Sequence, residues 1–400
     1  MKLDKIIGLD EQYYMNTFGK RLPVAFEKGE GMKLISVDGD EYYDFLGGIA
    51  VNALGHHHPE FTKLLKEQLD KVLHTSSLYY IENQAKLAKE LCDHSCADKA
   101  FFASTGAEAN EGAIKLAKIY FYKQQKDKYE VISLDKSFHG RTLATVAATG
   151  QEKYQKPYRP LIPGFKQVEP NNIDAIKEAI TDKTCAIMIE LIQGESGVYP
   201  MSFEYVKELR RICDDKEIIL IFDEVQTGMG RTGEYFAHQY YGIEPDIFTC
   251  AKALGGGIPI GAIGAKEFVA KAFEPGDHGT TFGGNPFSTM AGLGVFKIFE
   301  EEKILDNVKK MSKYFVEELE KIKEKFSDKI VEIRYAGLLI GIELDEKIAK
   351  DTFTKMFEAK FLTSLCKNTI RLAPPLIIKK EDIDAFIATF DKVLSDWKEL

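Results

Sequence analysis

The order of apolar and helical stretches between residues 99 and 265 constrains the fold more than any other feature of the sequence. Stretches with helical periodicity, such as "FEYVKELRRICDDK", separate six short apolar runs: "KAFFA", "YEVISL", "CAIMIEL", "IILIFD", "DIFTCA" and "GAIGA". Runs without strict alternation are typical of strands buried on both faces, and the intervening helices permit parallel connections. The sequence therefore predicts an α/β fold with a mostly parallel mixed sheet flanked by helices.

The pattern changes on both sides of this region. Near the N-terminus, "GMKLISVDGDEYYDF" alternates around a "DGDE" turn, which predicts a hairpin. After about residue 295 a long charged helix precedes the stretches "VEIRYAGLLIGIEL" and "TIRLAPP" and a terminal helix. Because 400 residues exceed one ordinary core, we predict three parts. These are an N-terminal segment (1–53) that packs with the small domain, a large α/β domain (54–295) and a small α+β domain (296–400).

Composition narrows the partners and the compartment. The net charge of −9 argues against nucleic acid or an anionic membrane as a partner. The N-terminus carries charges where a signal peptide needs an apolar core, and the longest aliphatic runs are too short for a bilayer, so we expect a cytoplasmic protein. Six cysteines are widely spread and are expected to be free thiols. "CDHSC" (92–96) has no second pair, so we expect no metal.

Lys252 stands between an apolar run and three glycines, in "TCAKALGGGIPIGA" (249–262). An ammonium in such a place loses hydration, which lowers the pKa of the lysine and favours a nucleophilic amine. The alternative is a surface lysine beside a loop.

Other groups that could bind a ligand also follow predicted strands, which is where ligands of open parallel sheets bind. Gly106 and Ala107 open a helix whose free N–H groups suit an anion, and Asp223 follows the run "IILIF". "FHGRT" (138–142) brings a ring and a guanidinium. Singly, these residues also fit an ordinary helix cap or a turn. Together with Lys252 they supply what pyridoxal 5'-phosphate (PLP) requires: a phosphate site, a carboxylate, an aromatic plate and an amine.

Seven stretches resemble the class III, PLP-dependent aminotransferases of fold type I, over nearly the full chain. They are "GGIAVNALGHHHP" (47–59), "STGAEANEGAIKLA" (104–117), "FHGRTLAT" (138–145), "ELIQGESGV" (190–198), "IFDEVQTGMGRTG" (221–233), "CAKALGGGIPIGA" (250–262) and "HGTTFGGNP" (278–286). The resemblance implies a homodimer with shared active sites.

The resemblance also implies roles for individual residues. Lys252 would bind PLP covalently and move a proton, and Asp223 would keep the pyridine nitrogen protonated. The cofactor-binding residues would be Gly106, Ala107, Phe138, Asp223, Val225, Gln226 and Lys252, with Thr281 reaching the phosphate of the neighbouring subunit. The substrate-binding residues would be Arg141, Glu195, Thr280 and Arg371, of which Glu195 and Arg371 would form a switchable pair.

Some alternatives remain open at the level of the sequence. Arg371 also fits a surface arginine on an edge strand, Glu195 a turn cap, and His139 a ring packed on Phe138 without a catalytic role. Asn52 and Tyr79 also fit the lining of the site.

The forms "GIAVNALGH" and "FHGRT" are similar to the branch that transfers the δ-amino group of N2-acetylornithine to 2-oxoglutarate in arginine biosynthesis. Another amino donor, such as succinyl-diaminopimelate, ornithine or 4-aminobutyrate, is the alternative within the class. A non-catalytic nucleotide-binding protein is the alternative outside it, but "GGG" after Lys252 is not a Walker loop.

Overall fold

The computed structural model describes residues 1–397. In chain order its strands are β1 (Phe26–Glu30), β2 (Lys33–Ser36), β3 (Glu41–Asp44), β4 (Lys99–Ala103), β5 (Glu130–Leu134), β6 (Phe165–Val168), β7 (Thr184–Ile189), β8 (Ile192–Gln193), β9 (Tyr199–Pro200), β10 (Ile219–Asp223), β11 (Ile247–Cys250), β12 (Gly261–Ala265), β13 (Ile330–Ala336), β14 (Leu339–Leu344), β15 (Phe361–Leu362), β16 (Ser364–Cys366) and β17 (Thr369–Leu372). Its α-helices are α1 (Leu3–Tyr13), α2 (Gly47–Ala50), α3 (Pro59–Leu69), α4 (Glu82–Asp93), α5 (Gly106–Lys123), α6 (Leu143–Ala148), α7 (Glu152–Gln155), α8 (Ile173–Ala179), α9 (Phe203–Lys216), α10 (Ala237–Tyr241), α11 (Glu267–Ala270), α12 (Pro286–Glu301), α13 (Ile304–Lys325), α14 (Glu346–Glu358) and α15 (Lys380–Ser395).

A seven-stranded sheet forms the centre of the molecule, in the order β4-β12-β11-β10-β7-β5-β6. Only β12 runs antiparallel to its neighbours, so the predicted mostly parallel sheet is confirmed. All six predicted strands belong to this sheet. The seventh, β6, was not predicted, because its sequence "FKQV" mixes polar and apolar residues at the partly buried outer edge.

Both faces of the central sheet are covered. Every residue of β7 and β10 is buried, which explains why these strands read as continuous apolar runs. Helix α5 approaches one face closely, because its buried side is made of small residues such as Ala109, Gly112 and Ala113. At Gly112 an added Cβ would lie 2.5 Å from Ile263 Cδ1, so a larger residue would push the helix away from the sheet.

Two smaller sheets involve the chain ends. The predicted hairpin is present as β2 and β3, and β3 also pairs in parallel with β15 from the C-terminal part. The other sheet has the order β13-β14-β17-β16. Strand β17 is therefore internal, and Arg371 on it is 7% exposed, so its interpretation as a surface arginine on an edge strand is wrong. The predicted domain boundaries stay a prediction, and residues 398–400 of the last domain lie outside the described residues.

Arg231 connects the loop after β10 to the C-terminal part. The side chain is 1% exposed, and its Nη1 donates to the carbonyl oxygens of Leu338 at 3.2 Å and Pro374 at 2.5 Å. Burial lowers the pKa of this guanidinium to about 9.

None of the helices within residues 1–397 combines the length and the apolar character needed to cross a membrane.

Candidate active site

A cavity of about 520 Å³ opens at the carboxyl edge of the central sheet. It is lined by Val51, Ser104, Thr105, Gly106, Ala107, Asn110, Phe138, His139, Gly140, Arg141, Glu190, Glu195, Asp223, Val225, Gln226, Ala251, Lys252, Gly257, Ile258, Pro259 and Ile260. The parallel strands end at this edge, so the side chains that follow them meet here. Two larger cavities, of about 940 and 840 Å³, lie elsewhere and contain none of the predicted site residues.

Lys252 lies two residues beyond the end of β11 and begins a short 3-10 turn that ends at Gly255. Its φ of 45° is in the left-handed region, a conformation uncommon outside glycine. Burial, reinforced by the positive charge of Arg371, lowers the pKa of Lys252 to about 8. Lys252 lines the cavity and is only partly exposed. Its interpretation as a surface lysine beside a loop is therefore wrong.

Asp223 ends β10 and is 4% exposed. Its Oδ2 accepts hydrogen bonds from Asn110 Nδ2 at 2.8 Å and from His139 Nδ1 at 2.7 Å. The backbone N–H of Val225 donates to Oδ1 at 3.0 Å. A buried carboxylate needs such donors, and here they also fix its orientation toward the cavity.

Asn110, Thr249 and His139 form the support of Asp223 that sequence reasoning missed. Asn110 Oδ1 accepts from Thr249 Oγ1 at 2.6 Å, while its Nδ2 also donates to the His139 carbonyl at 2.7 Å. Burial of His139 opposes its protonation, but the hydrogen bond and charge of Asp223 outweigh burial and raise the pKa of the ring. The interpretation of His139 as a ring merely packed on Phe138 is therefore wrong. The available signal was a polar residue, Asn110, on the small-residue face of α5.

Glu190 is a second buried carboxylate that was not predicted. It directly follows β7 and accepts a hydrogen bond from the backbone N–H of Phe138 at 2.8 Å. Burial raises the pKa of Glu190 to about 7, with the Asp223 charge acting in the same direction. The signal in the sequence was the one used for Asp223, a carboxylate at the end of an apolar strand.

The N-terminus of α5 forms the proposed phosphate site. Thr105 Oγ1 accepts from the Glu108 N–H at 3.2 Å, and Glu108 Oε2 accepts from the Ser104 N–H at 2.8 Å. The first N–H groups of the helix, at Gly106 and Ala107, have no carbonyl within the helix to bind and suit an anion. A Cβ at Gly106 would lie 2.7 Å from Val225 Cγ1, so the cradle requires glycine.

These residues fit PLP. The helix N-terminus suits its phosphate, Asp223 its pyridine nitrogen, and Lys252 its aldehyde carbon. Gln226 contributes a further observation, because its Oε1 is buried without a hydrogen-bond donor, and the PLP ring hydroxyl is a donor of the required kind.

Arg141 and Glu195 lie on the outer side of the cavity. The Arg141 guanidinium lies 5.6 Å from the ring centroid of Phe138 and 3.8 Å from that of Tyr154. Among residues 1–397 it forms no ion pair. Glu195 accepts hydrogen bonds from Gln151 Nε2 and Tyr154 Oη, each at 2.7 Å. Burial opposes ionisation of Glu195, but these two hydrogen bonds and nearby positive charges lower its pKa.

Arg371 does not pair directly with Glu195 in this structure. Its Nη1 donates to the Gly194 carbonyl at 2.8 Å, and its Nε donates to Ser364 Oγ at 3.1 Å. Burial lowers the pKa of Arg371, and the charge of Glu195 acts against that shift. The Glu195 and Arg371 side chains thus influence each other electrostatically. In place of the expected ion pair, each forms hydrogen bonds with other residues.

Thr280 and Thr281 do not reach the cavity of their own chain. Thr280 Oγ1 accepts from the Gly283 N–H at 3.2 Å, and Thr281 is exposed. Tyr79 is also exposed, while Asn52 lies beside Gly257 of the cavity wall. The part of the chain that the structure describes contains no cluster of three or more His, Cys, Asp or Glu side chains suited to a metal ion.

Comparisons with known proteins identify the family of the chain. The sequence model of the family Aminotransferase class-III matches residues 14–394. The acetylornithine aminotransferase of Methanocaldococcus jannaschii is 50% identical over 401 residues, covering 100% of both chains. That of Caldanaerobacter subterraneus subsp. tengcongensis is 47% identical, covering 98% of this chain and 99% of the relative.

Solved structures give the same result. The ornithine aminotransferase of Toxoplasma gondii superposes with a TM-score of 0.94 at 29% identity, covering 99% of this chain and 95% of that one. The acetylornithine aminotransferase of Elizabethkingia anophelis gives 0.88 at 30% identity, covering 99% and 100%. The chain therefore belongs to the class-III aminotransferases and is a PLP-dependent transaminase of fold type I.

Proposed function

We propose that this protein transfers the δ-amino group of N2-acetylornithine to 2-oxoglutarate. The products are N-acetylglutamate 5-semialdehyde and glutamate, and the reaction belongs to arginine biosynthesis in the cytoplasm. The relatives named acetylornithine aminotransferase, at 50% and 47% identity over nearly the whole chain, support this choice of donor.

The different environments of Arg141 and Arg371 are the main support for this proposal. Arg141 has ring contacts but no ion pair within the described residues, so it is available to a substrate carboxylate. Arg371 already donates to Gly194 and Ser364 and lies in the field of Glu195, so its charge is partly compensated. Such a site suits an amino donor with one carboxylate and a neutral tail, and also an acceptor with two carboxylates.

PLP, when bound, supplies an electron-withdrawing ring that stabilises the negative charge left when the substrate δ-carbon loses a proton. The Asp223 carboxylate, whose Oδ1 accepts from the Val225 N–H, would hold the pyridine nitrogen of PLP and keep a proton there. Lys252 Nζ takes the substrate proton once the side chain is neutral, which its pKa of about 8 allows near physiological pH. Phe138, whose backbone N–H donates to Glu190, would supply the aromatic face beside the PLP ring.

A comparison of amino donors tests the substrate. We expect N2-acetylornithine to have the highest kcat/KM with 2-oxoglutarate, ahead of ornithine, succinyl-diaminopimelate and 4-aminobutyrate, measured with the purified protein. A higher kcat/KM for any of the other three would reject the donor but keep the transaminase. No transfer from any donor, with PLP bound, would reject the proposed reaction.

We also propose a homodimer in which each subunit completes the site of the other. Thr281 is exposed and outside its own cavity, and a group of large apolar side chains is exposed: Leu78, Tyr79, Tyr80 and Phe282. Exposed apolar residues in such number favour a protein interface, here with a second copy of this chain. Thr281 would then bind the PLP phosphate of the partner's site.

Mixing two variants, each of which lacks one of the two residues, tests this sharing. Lys252→Ala and Thr281→Ala proteins are unfolded together and refolded, so that mixed dimers form. If Thr281 serves the partner, one site of each mixed dimer has both native residues, and activity returns. If it serves its own subunit, no site is intact and none returns. A fully active monomer in sedimentation at assay concentration would contradict the dimer itself.

A further inference from the structure

Tyr154 lies outside the motifs of the sequence but contacts three side chains of the candidate site. It belongs to α7 and is partly buried. Its Oη donates to Glu195 Oε1 at 2.7 Å. Its ring centroid lies 3.8 Å from the guanidinium carbon of Arg141 and 5.7 Å from the ring centroid of Phe138, edge to face. One side chain thus joins two groups that would interact with substrate carboxylates.

The hydroxyl of Tyr154 remains a donor at neutral pH. Burial, followed by the hydrogen bond to Glu195, raises the pKa of Tyr154, although the nearby Lys153 acts against this shift. Burial opposes the ionisation of Glu195, and the hydrogen bond from Tyr154 is the largest influence that lowers its pKa against burial. The contact therefore joins a neutral hydroxyl to a carboxylate, which is the stronger, charge-assisted kind of hydrogen bond.

Gln151 is the second donor to Glu195, but its amide is shared. Its Nε2 donates to Glu195 Oε2 at 2.7 Å and also to the Ser137 carbonyl at 3.1 Å. A tyrosine hydroxyl has a single proton, and that of Tyr154 is directed at Glu195. Loss of this hydroxyl would therefore leave one oxygen of the Glu195 carboxylate without its donor.

Arg371 is the cation that Glu195 would meet if it were released. Two nitrogens of Arg371 donate to Gly194 and Ser364, and its third, Nη2, has no hydrogen bond within residues 1–397. The charge of Glu195 already acts on the pKa of Arg371. A direct ion pair would occupy the guanidinium that a second substrate carboxylate needs. The position of Glu195 therefore decides whether a dicarboxylate can bind.

We propose that Tyr154 is a positioning residue that sets the substrate specificity of this site. Its hydroxyl keeps Glu195 away from Arg371, so that a dicarboxylate can bind, and its ring supports Arg141, which serves the carboxylate common to both substrates. This inference rests on the proposed transfer to 2-oxoglutarate. A donor with one carboxylate does not need Arg371, so its binding depends on the ring of Tyr154 and not on the hydroxyl.

Tyr154→Phe removes the hydroxyl and keeps the ring. The probe is glutarate, a dicarboxylate that cannot be transaminated, and calorimetry measures its dissociation constant from the PLP-loaded protein. We expect this constant to rise about tenfold, because a hydrogen bond to a charged group is lost. The single-turnover rate with N2-acetylornithine should change less than about twofold. Tyr158→Phe, the same change at an exposed tyrosine nearby, is the control and should alter neither value.

Glu195→Gln shows whether the effect of the hydroxyl passes through Glu195. Glutamine is neutral and cannot form an ion pair with Arg371. In this background, Tyr154→Phe should therefore change the dissociation constant of glutarate by less than about twofold. Equal losses with and without Glu195→Gln would show a merely structural role of Tyr154 and overturn the proposal. A dissociation constant that Tyr154→Phe leaves unchanged or lowers would overturn it as well.

Tyr154→Leu removes the ring as well as the hydroxyl. It should also slow the N2-acetylornithine half-reaction, by about threefold or more, because the cation–π contact with Arg141 is lost. A Leu variant that behaves like the Phe variant would overturn the role of the ring. If the unmutated protein does not react with N2-acetylornithine, the proposed donor is wrong. The glutarate measurements still decide the role of the Tyr154 hydroxyl, because they need no amino donor.

Discussion

At the scale of single residues, the chemistry depends on the charges that set the pKa of Lys252. Burial lowers this pKa most, and the positive charge of Arg371 lowers it further. Asp223 and Glu190 act in the opposite direction. These three side chains lie on or directly after strands of two sheets, and Arg231 also lowers the pKa, so its value depends on the assembled fold.

The first prediction concerns the pH dependence of PLP attachment. Only the neutral amine attacks an aldehyde, so the rate of covalent attachment to the apoprotein should increase with pH and level off above about pH 8, since the pKa of Lys252 is about 8. Stopped-flow absorbance at each pH measures it. Lys252→Ala should show no covalent attachment, and a midpoint near the usual lysine value of about 10.4 would contradict the assignment.

The second prediction uses the two neighbours of opposite sign. Glu190→Gln removes a charge that raises the pKa of Lys252, while its amide oxygen still accepts from the Phe138 N–H. The midpoint of PLP attachment should therefore move to lower pH in Glu190→Gln and to higher pH in Arg371→Gln, each by up to about one unit. Shifts in the same direction in both variants would show that packing, and not charge, controls the lysine.

The third prediction separates the two arginines. Arg371→Ala should slow the half-reaction with 2-oxoglutarate about 100-fold, because a charge-assisted contact to the second carboxylate is lost. The N2-acetylornithine half should change by less than about fivefold, whereas Arg141→Ala should impair both halves. Single-turnover kinetics at one fixed pH measures each half separately for every variant. Equal losses in both halves for Arg371→Ala would reject the role of Arg371.

At the scale of elements, the N-terminus of α5 is the most constrained part of the site. Gly106 stands at the first position of the helix, and an added Cβ would contact Val225 Cγ1 at 2.7 Å and Cγ2 at 2.9 Å. The close contact, and not a special backbone angle, therefore requires glycine here.

The fourth prediction follows from this contact. Gly106→Ala should weaken PLP binding about 10- to 100-fold, since overpacking costs about 1–3 kcal/mol and displaces the N–H groups. Fluorescence titration of the apoprotein measures the dissociation constant. Gly8→Ala, in α1, is the control, because a Cβ there meets nothing within 4 Å. Unchanged PLP affinity in Gly106→Ala would place the phosphate elsewhere.

The elements that sequence reasoning recovered are those whose signal is local. The strands at Asp223 and before Lys252 were found because every residue in them is buried, which leaves a continuous apolar run. The strand before Gly106 is buried only at its last two residues, but its sequence is still mostly apolar. β6 was missed because an outer strand keeps polar residues. The Asn110–Asp223 contact joins residues 113 positions apart. No local pattern reports such a contact, so the support of the carboxylate became visible only in three dimensions.

The missing Glu195–Arg371 ion pair has a similar cause. Tyr154 and Gln151 donate hydrogen bonds to the Glu195 carboxylate. Both residues come from the segment around α7, in which the sequence shows no motif. The Glu195 and Arg371 side chains nevertheless lie in one region of the structure, where each influences the pKa of the other. The hydrogen-bond partners of Glu195 and Arg371 depend on residues that are distant in the sequence and adjacent only in the folded protein.

At the scale of the whole molecule, Arg231 is a single side chain that holds distant parts together. It reaches the carbonyls of Leu338 and Pro374, more than 100 residues away, at 107 and 143 positions. Removing it leaves a cavity and two carbonyls without a donor, within a fully buried region.

The fifth prediction tests this contact. Arg231→Ala should lower the free energy of unfolding by about 3–5 kcal/mol, because a buried side chain and its hydrogen bonds are lost together. Arg231→Lys, which keeps one donor and most of the volume, should lose clearly less. Thermal unfolding at one fixed protein concentration compares the variants, since oligomers unfold in a concentration-dependent way. Equal losses would mean that neither the retained volume nor a single donor stabilises this position, which would contradict the prediction.

The order of the central sheet also has a consequence for the time at which the protein is made. Strand β4 stands at the edge and pairs only with β12, whose first residue, Gly261, lies 158 positions after Ala103, the last residue of β4. A ribosome adds about 5–20 residues per second, so the nascent β4 waits roughly 10–30 s for its partner. During that interval the edge of β4 is exposed to solvent or to a chaperone, and the phosphate cradle that follows β4 has no complete wall. PLP binding is thus one of the last events in the synthesis and folding of each molecule.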